Sequence, residues 1–93
     1  MANSLRYRVA PAVASSENDG EVTILDPRSG LYFGLEDVGA ELWRQLAQPR
    51  SIRELCESMT ERYEVTRAEC MDDVRGLVDE LVERGLVEVV PAE

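Results

Sequence analysis

The groups in this chain that most resemble catalytic machinery are three acidic pairs, Glu36-Asp37, Asp72-Asp73 and Asp79-Glu80, and two cysteines, Cys56 and Cys70. Paired carboxylates do general acid–base work when both reach one substrate atom. Neighbours on a helix point about 100° apart, so these pairs read as solvated faces. Histidine is absent, which removes Ser-His and Cys-His nucleophiles, imidazole bases and His-containing zinc sites. Two thiols are too few for a four-thiolate metal site. They fall on the apolar faces of separate helices and read as reduced, buried side chains. Gly30, Gly34 and Gly39 are followed by no Gly-Lys-Ser/Thr and form no phosphate loop. The expectation is no enzyme, no metal and no cofactor.

Binding is then the function to look for, and the stretch from Ile24 to Trp43 carries the signal. Asp26 and Pro27 suit the first positions of a type I turn, and Gly30 suits the left-handed residue that closes a hairpin. Leu31–Leu35, Leu-Tyr-Phe-Gly-Leu, follows as a short apolar strand. A sheet this small has an edge, and an edge strand offers unpaired N–H and C=O groups to another chain.

The elements around it follow from the pattern. Residues 1–10 alternate Leu5, Tyr7 and Val9 and read as extended, ahead of Pro11. Ala12–Ser16 is a weak strand, Glu17-Asn-Asp-Gly20 a turn, Glu21–Asp26 a second strand and Leu31–Leu35 a third, forming a meander with the third strand at its edge. A first helix spans about Asp37 to Gln48 with Val38, Leu42, Trp43 and Leu46 on one face, and Pro49 ends it. Ser51-Ile-Arg-Glu54 and Thr66-Arg-Ala-Glu69 are capping boxes that open the second and third helices. The second buries Ile52, Leu55, Cys56, Met59 and Tyr63. The third runs to Arg84, where Gly85 stops it. Leu86–Val90 can pair as a strand or pack under the helices.

The third helix carries two apolar stripes. Cys70, Val74, Leu77 and Leu81 form one, and Met71, Val78 and Val82 form another roughly a quarter turn around, with Arg75 beside it. One stripe suffices to dock the helix. The second either widens the buried face or lines a groove that could hold side chains of an extended peptide next to the strand edge.

Ninety-three residues make one domain. No run reaches the roughly 18–20 apolar residues of a membrane span, and the N-terminus has no apolar core for a signal peptide, so the expected location is the cytoplasm. The net charge is −9, and all ten basic residues are arginine. Such a balance repels phosphate backbones and suits a cationic peptide or protein partner, or simply a solvated surface. Helices two and three could form a helix-turn-helix with the terminal strands as a wing. Glu69, Asp72, Asp73, Asp79, Glu80 and Glu83 on the third helix would face phosphates, however, which weighs against a DNA-binding regulator.

Leu25-Asp-x-x-Ser-Gly-x-Tyr-Phe-x-Leu35, then Gly39-x-x-x-Trp43, then Glu61-Arg-Tyr-x-Val65 ahead of a long helix ending Arg84-Gly-Leu86, resembles the PqqD-like family. These are the precursor-peptide recognition elements of ribosomally synthesised, post-translationally modified peptides. The resemblance covers about residues 12–90, leaving 1–11 as a partly ordered extension and 91–93 as a tail. It implies an α+β, winged helix-turn-helix-like fold in which a three-stranded antiparallel sheet precedes three helices. It also implies leader-peptide binding, the leader adding to the third strand and laying side chains against the third helix. The expected peptide-binding set is Leu31, Tyr32, Phe33, Gly34 and Leu35 on the strand and Met71, Arg75, Val78, Asp79 and Val82 on the helix, with Val74, Leu77 and Leu81 holding the fold. The chain looks most like the leader-binding proteins of lasso-peptide clusters. Implied partners are a precursor leader, a leader peptidase and a macrolactam synthetase, or a radical SAM enzyme if it resembles the chaperone of pyrroloquinoline quinone synthesis. Lasso leaders of this kind are typified by Tyr-x-x-Pro-x-Leu.

Overall fold

Asp19 and Gly20 both take positive φ, 55° and 81°, and that places a tight primed turn between β2 (Ala14–Asn18) and β3 (Glu21–Leu25). The computed structural model describes residues 5–91. Glu17 and Asn18, expected in the turn, stay in the ladder, with Asn18 opposite Glu21. Asp-Gly alone is enough to reverse the chain, so β2 sits two residues later than the composition suggested. β3 and β4 (Tyr32–Leu35) are joined by a loop in which Gly30, at φ 75°, donates its N–H to the Asp26 carbonyl at 2.8 Å. The Asp26 carboxylate accepts from the Arg28 N–H and the Ser29 hydroxyl, both at 3.0 Å. The Arg28 N–H is the main reason its carboxyl lies below the usual range. The sheet order is β2-β3-β4, which leaves β4 at an edge as expected.

The helices begin where their caps said they would. Ser51 and Thr66 each accept from the backbone N–H three residues on, and Glu54 and Glu69 reach back, opening α2 (Ile52–Arg62) and α3 (Arg67–Glu83). α1 (Val38–Gln45) is shorter than expected. Its end tightens, Ala47 donating to Arg44 at 3.3 Å and Gln48 to Gln45 at 3.5 Å, before Pro49. α3 ends in a Schellman motif around Gly85, φ 78°. The Gly85 N–H bonds the Val82 carbonyl and the Leu86 N–H the Leu81 carbonyl, each at 2.9 Å.

A second sheet joins the chain's two ends. β1 (Arg6–Val9) pairs antiparallel with β5 (Val87–Val90), Tyr7 opposite Val89. Tyr7 also exchanges backbone bonds with Arg50 at 2.8 and 3.0 Å, and its side chain is only 9% exposed. Arg6–Val9, expected as part of an extension, is therefore a working strand, and Leu86–Val90 pairs rather than merely packing. Residues 1–4 and 92–93 of the expected extension and tail lie outside the described residues.

Between the sheets and helices, Ile24 of β3, Leu42 and Leu46 at α1, Leu55 and Met59 of α2, Val78 of α3 and Leu86 are fully buried. Each large aliphatic side chain among them contributes about 1.5–3 kcal/mol by leaving water. Cys56 and Cys70 are buried and free. Burial pushes the Cys56 thiol up to about 11, with Cys70 beside it adding to the shift. A thiol so hard to ionise packs as a small hydrophobe, in line with the sequence reading. Among the described residues no helix is long and apolar enough to cross a membrane.

Candidate functional site

The register of β4 decides which of its backbone groups are free. Asp26 donates to the Leu31 carbonyl at 2.9 Å, marking their pair as hydrogen-bonded. Alternation along the antiparallel ladder makes Ile24–Phe33 and Val22–Leu35 bonded pairs as well. The backbone groups of Tyr32 and Gly34 therefore point away from β3, toward the open edge. These two residues are where an added strand would bond.

Side chains alternate the other way. Phe33 and Leu35 turn toward the helices and are half-buried, while Tyr32 is 69% exposed. Across from them lies α3. A Cβ built on Gly39 would sit 3.5 Å from Leu35 Cδ2 and 3.8 Å from Leu77 Cδ2, which puts Leu35, the start of α1 and Leu77 around one opening. At the other end the Arg84 guanidinium lies 4.5 Å over the Phe33 ring and pairs with Glu80 at 3.3 Å. Arg28, from the β3–β4 loop, donates to the Arg84 carbonyl at 2.6 Å and caps the end of α3. The result is a groove between β4 and α3, closed by Arg84 beside Phe33 and open past Leu35.

The α3 half of the expected site needs correction. Val78 is 0% exposed and belongs to the core, whereas Leu77, expected to hold the fold, is half-buried and faces the groove. Met71 and Arg75 lie on the opposite margin, lining a shallow pocket of about 250 Å³ with Leu5, Tyr7, Ile52 and Arg53. Val82 lies about 140° around the helix from Leu77, on that same margin, and packs half-buried against the core. Asp79 is exposed, about 160° from Leu77. The reason is angular. The buried arc of α3 is centred between Val74 and Val78, so both supposed stripes are partly core. The groove lies on the Leu77 margin and the β1 side on the Met71 margin. The expected groove on the Met71 margin therefore faces β1, whereas β4 packs beside the Leu77 margin. Residues that sequence reasoning missed are Gly39, Leu77 and Arg84. The spacing of Asp73, Leu77, Glu80 and Arg84 along one helix face was the available signal.

Past Leu35 the groove opens into an apolar cleft of about 280 Å³ between α1, the end of α2 and α3, lined by Val38, Gly39, Leu42, Met59, Tyr63, Val65, Cys70, Asp73, Val74 and Leu77. Among the described residues no cluster of His, Cys, Asp or Glu is placed to hold a metal. The arrangement suits binding an extended chain: a backbone ladder at Tyr32 and Gly34, and apolar surface beside it.

The comparisons agree with this architecture. The family model for coenzyme PQQ synthesis protein D (PqqD) matches residues 21–87. Among solved structures, one described as TbiB1 in complex with the TbiA(beta) leader peptide is 31% identical, with a TM-score of 0.81, covering 87% of this chain and 94% of that one. A second, lasso peptide synthetase B1 complexed with the leader peptide, is 30% identical, with a TM-score of 0.78, covering 88% of this chain and 96% of that one. A search of curated proteins gave no match. With three strands feeding three helices in the same order and a family match over most of its length, the chain belongs to the PqqD family.

Proposed function

We propose that this protein binds the leader region of a ribosomally synthesised precursor peptide by strand addition to β4 and delivers it to separate maturation enzymes, a lasso-peptide leader peptidase and a macrolactam synthetase. The observation that carries this is the uncharged edge Tyr32–Leu35, with the backbone of Tyr32 and Gly34 turned outward beside the α3 groove. The leader-bound state of the two similar structures supports it. In this reading Leu31, Tyr32, Phe33, Gly34 and Leu35 meet the peptide from the strand side and Leu77 and Arg84 from the helix side. The protein contributes no catalysis. It raises the local concentration of precursor near its enzymes, in the cytoplasm where such peptides are made.

The family match favours a second reading, a PqqD-type chaperone serving a radical SAM enzyme. Co-purification with either enzyme set separates the two. The binding step itself is tested by titrating a fluorescein-labelled synthetic peptide carrying Tyr-x-x-Pro-x-Leu against the protein and Gly34→Pro. Proline removes the outward N–H of an edge residue and leaves the β3–β4 ladder intact. The expected result is at least a tenfold loss of affinity, about 1.4 kcal/mol, with unchanged circular dichroism. Equal binding by a folded Gly34→Pro would contradict strand addition.

A further inference from the structure

The groove between β4 and α3 is held in different ways at its two ends. Past Leu35 the chain itself holds it, since only Glu36 and Asp37 separate β4 from α1. No such short link exists at the Phe33 end, and two arginines make the connection instead. Arg28, in the β3–β4 loop, donates through Nη2 to the Arg84 carbonyl at 2.6 Å, across 56 positions of sequence. The Arg84 guanidinium in turn lies over the Phe33 ring. A cation at the last carbonyls of a helix is also favoured by the helix dipole.

The loop that carries Arg28 is stiff enough to act as a lever. Asp26 is buried, and its carboxylate accepts from the Arg28 N–H and the Ser29 hydroxyl. The Leu31 N–H donates to the Ser29 hydroxyl at 3.2 Å. None of these bonds uses the Arg28 side chain, which is left to reach α3. Gly85 makes room for it: a Cβ there would fall 2.8 Å from the Arg28 Cζ and closer still to Nη2. Gly85 is thus both the helix stop and the seat of the guanidinium.

Resting on the strand-addition reading, we infer that Arg28 is a positioning residue for peptide binding, acting through Arg84 to hold the end of α3 at one distance from β4. An added strand meets two demands at once. Its backbone bonds to Tyr32 and Gly34 need N···O distances of about 2.7–3.2 Å, while its side chains need contact with α3. Both are satisfied only at one spacing. Without Arg28 the Phe33 end of the groove samples several spacings, and the apparent affinity falls with the fraction of molecules at the competent one. Arg28 itself stays outside the path of the peptide, so its loss slows capture and does not hasten release.

Stopped-flow fluorescence with the fluorescein-labelled Tyr-x-x-Pro-x-Leu peptide separates those two rates. Arg28→Met is expected to weaken binding about fivefold through the association rate constant, with dissociation within about twofold of the parent and circular dichroism unchanged. Arg28→Lys keeps a donor and a positive charge for the helix end and should fall between the two. Gly85→Asn is the second arm. Asparagine accepts the left-handed backbone that ends the helix, but its Cβ displaces the guanidinium, so this variant should reproduce the Arg28→Met loss. The double variant should bind no worse than either single one, because both remove the same contact.

Parent-like affinity in a folded Arg28→Met would overturn the inference and leave strand addition standing, as would losses that multiply in the double variant. A loss confined to the dissociation rate would make Arg28 a direct contact of the peptide and overturn the positioning role. Unfolding of Arg28→Met and Gly85→Asn alike would assign the contact to the fold alone and overturn it too. If the parent captures no peptide, strand addition falls and this inference with it.

Discussion

The two outer strands of the three-stranded sheet are managed in opposite ways. β2, Ala-Ser-Ser-Glu-Asn, is polar, and its side chains are tied to α1: Ser15 accepts from the Trp43 indole N–H at 3.2 Å, and Glu17 accepts from Arg44 at 2.7 Å. β4, Tyr-Phe-Gly-Leu, carries no charge and no such tie. Folded proteins usually blunt an exposed edge with charge, proline or cover. At β2 that rule is obeyed, and at β4 it is suspended beside a groove. The proposed strand addition would use an edge of this kind, uncharged and next to apolar surface.

The largest expected effect comes from the α3 residue that sequence reasoning placed in the groove. Val78→Asp puts an unpaired carboxylate into the core, so it should cost more than about 4 kcal/mol and leave the domain largely unfolded in a thermal melt. A folded Val78→Asp would mean that α3 is rotated and the groove lies on its other margin. Next come the two α3 margins compared on equal terms. Leu77→Ala should weaken the labelled peptide about tenfold while lowering stability by about 1–2 kcal/mol, less than a full core cavity because the side chain is half-buried. Met71→Ala, on the β1 side, should leave the peptide titration unchanged.

How far the sequence could be read follows from the same contrast. Local signals were legible: the capping boxes at Ser51 and Thr66, the stop at Gly85 and the Asp19-Gly20 reversal are each written within a few residues. The β1–β5 sheet was not, because Arg8 finds Glu88 80 residues away and four-residue strands carry little pattern of their own. The edge position of β4 was legible because an apolar, uncharged strand at the end of a meander is a local anomaly. Val78 and Leu77 exchanged their expected places because the apolar residues of α3 look alike in sequence, and only the positions of β4 and β1 say which margin of the helix faces which strand.

Two smaller effects sharpen the β2 side. Ser15→Ala removes the acceptor for the buried Trp43 N–H and should cost about 1 kcal/mol in denaturant melts, with peptide binding unaffected. Acid should weaken the fold gradually. The Asp26 carboxyl is held low chiefly by the Arg28 N–H and the Glu41 carboxyl chiefly by the Gln45 amide. Because both folded values lie below the unfolded ones, their stabilisation is complete above the ordinary carboxylate range and is lost as pH falls through about 4 and below. Glu41→Gln should flatten that part of a stability-versus-pH curve.

Amide hydrogen exchange, with and without the Tyr-x-x-Pro-x-Leu peptide, reads the two edges in one experiment. The Tyr32 and Gly34 N–H groups are expected to exchange freely alone and to slow at least tenfold with peptide bound, as an added strand takes up their bonds, while the outward amides of β2 stay unchanged. Bound peptide with Tyr32 and Gly34 still unprotected, or protection appearing along β2 instead, would contradict the account.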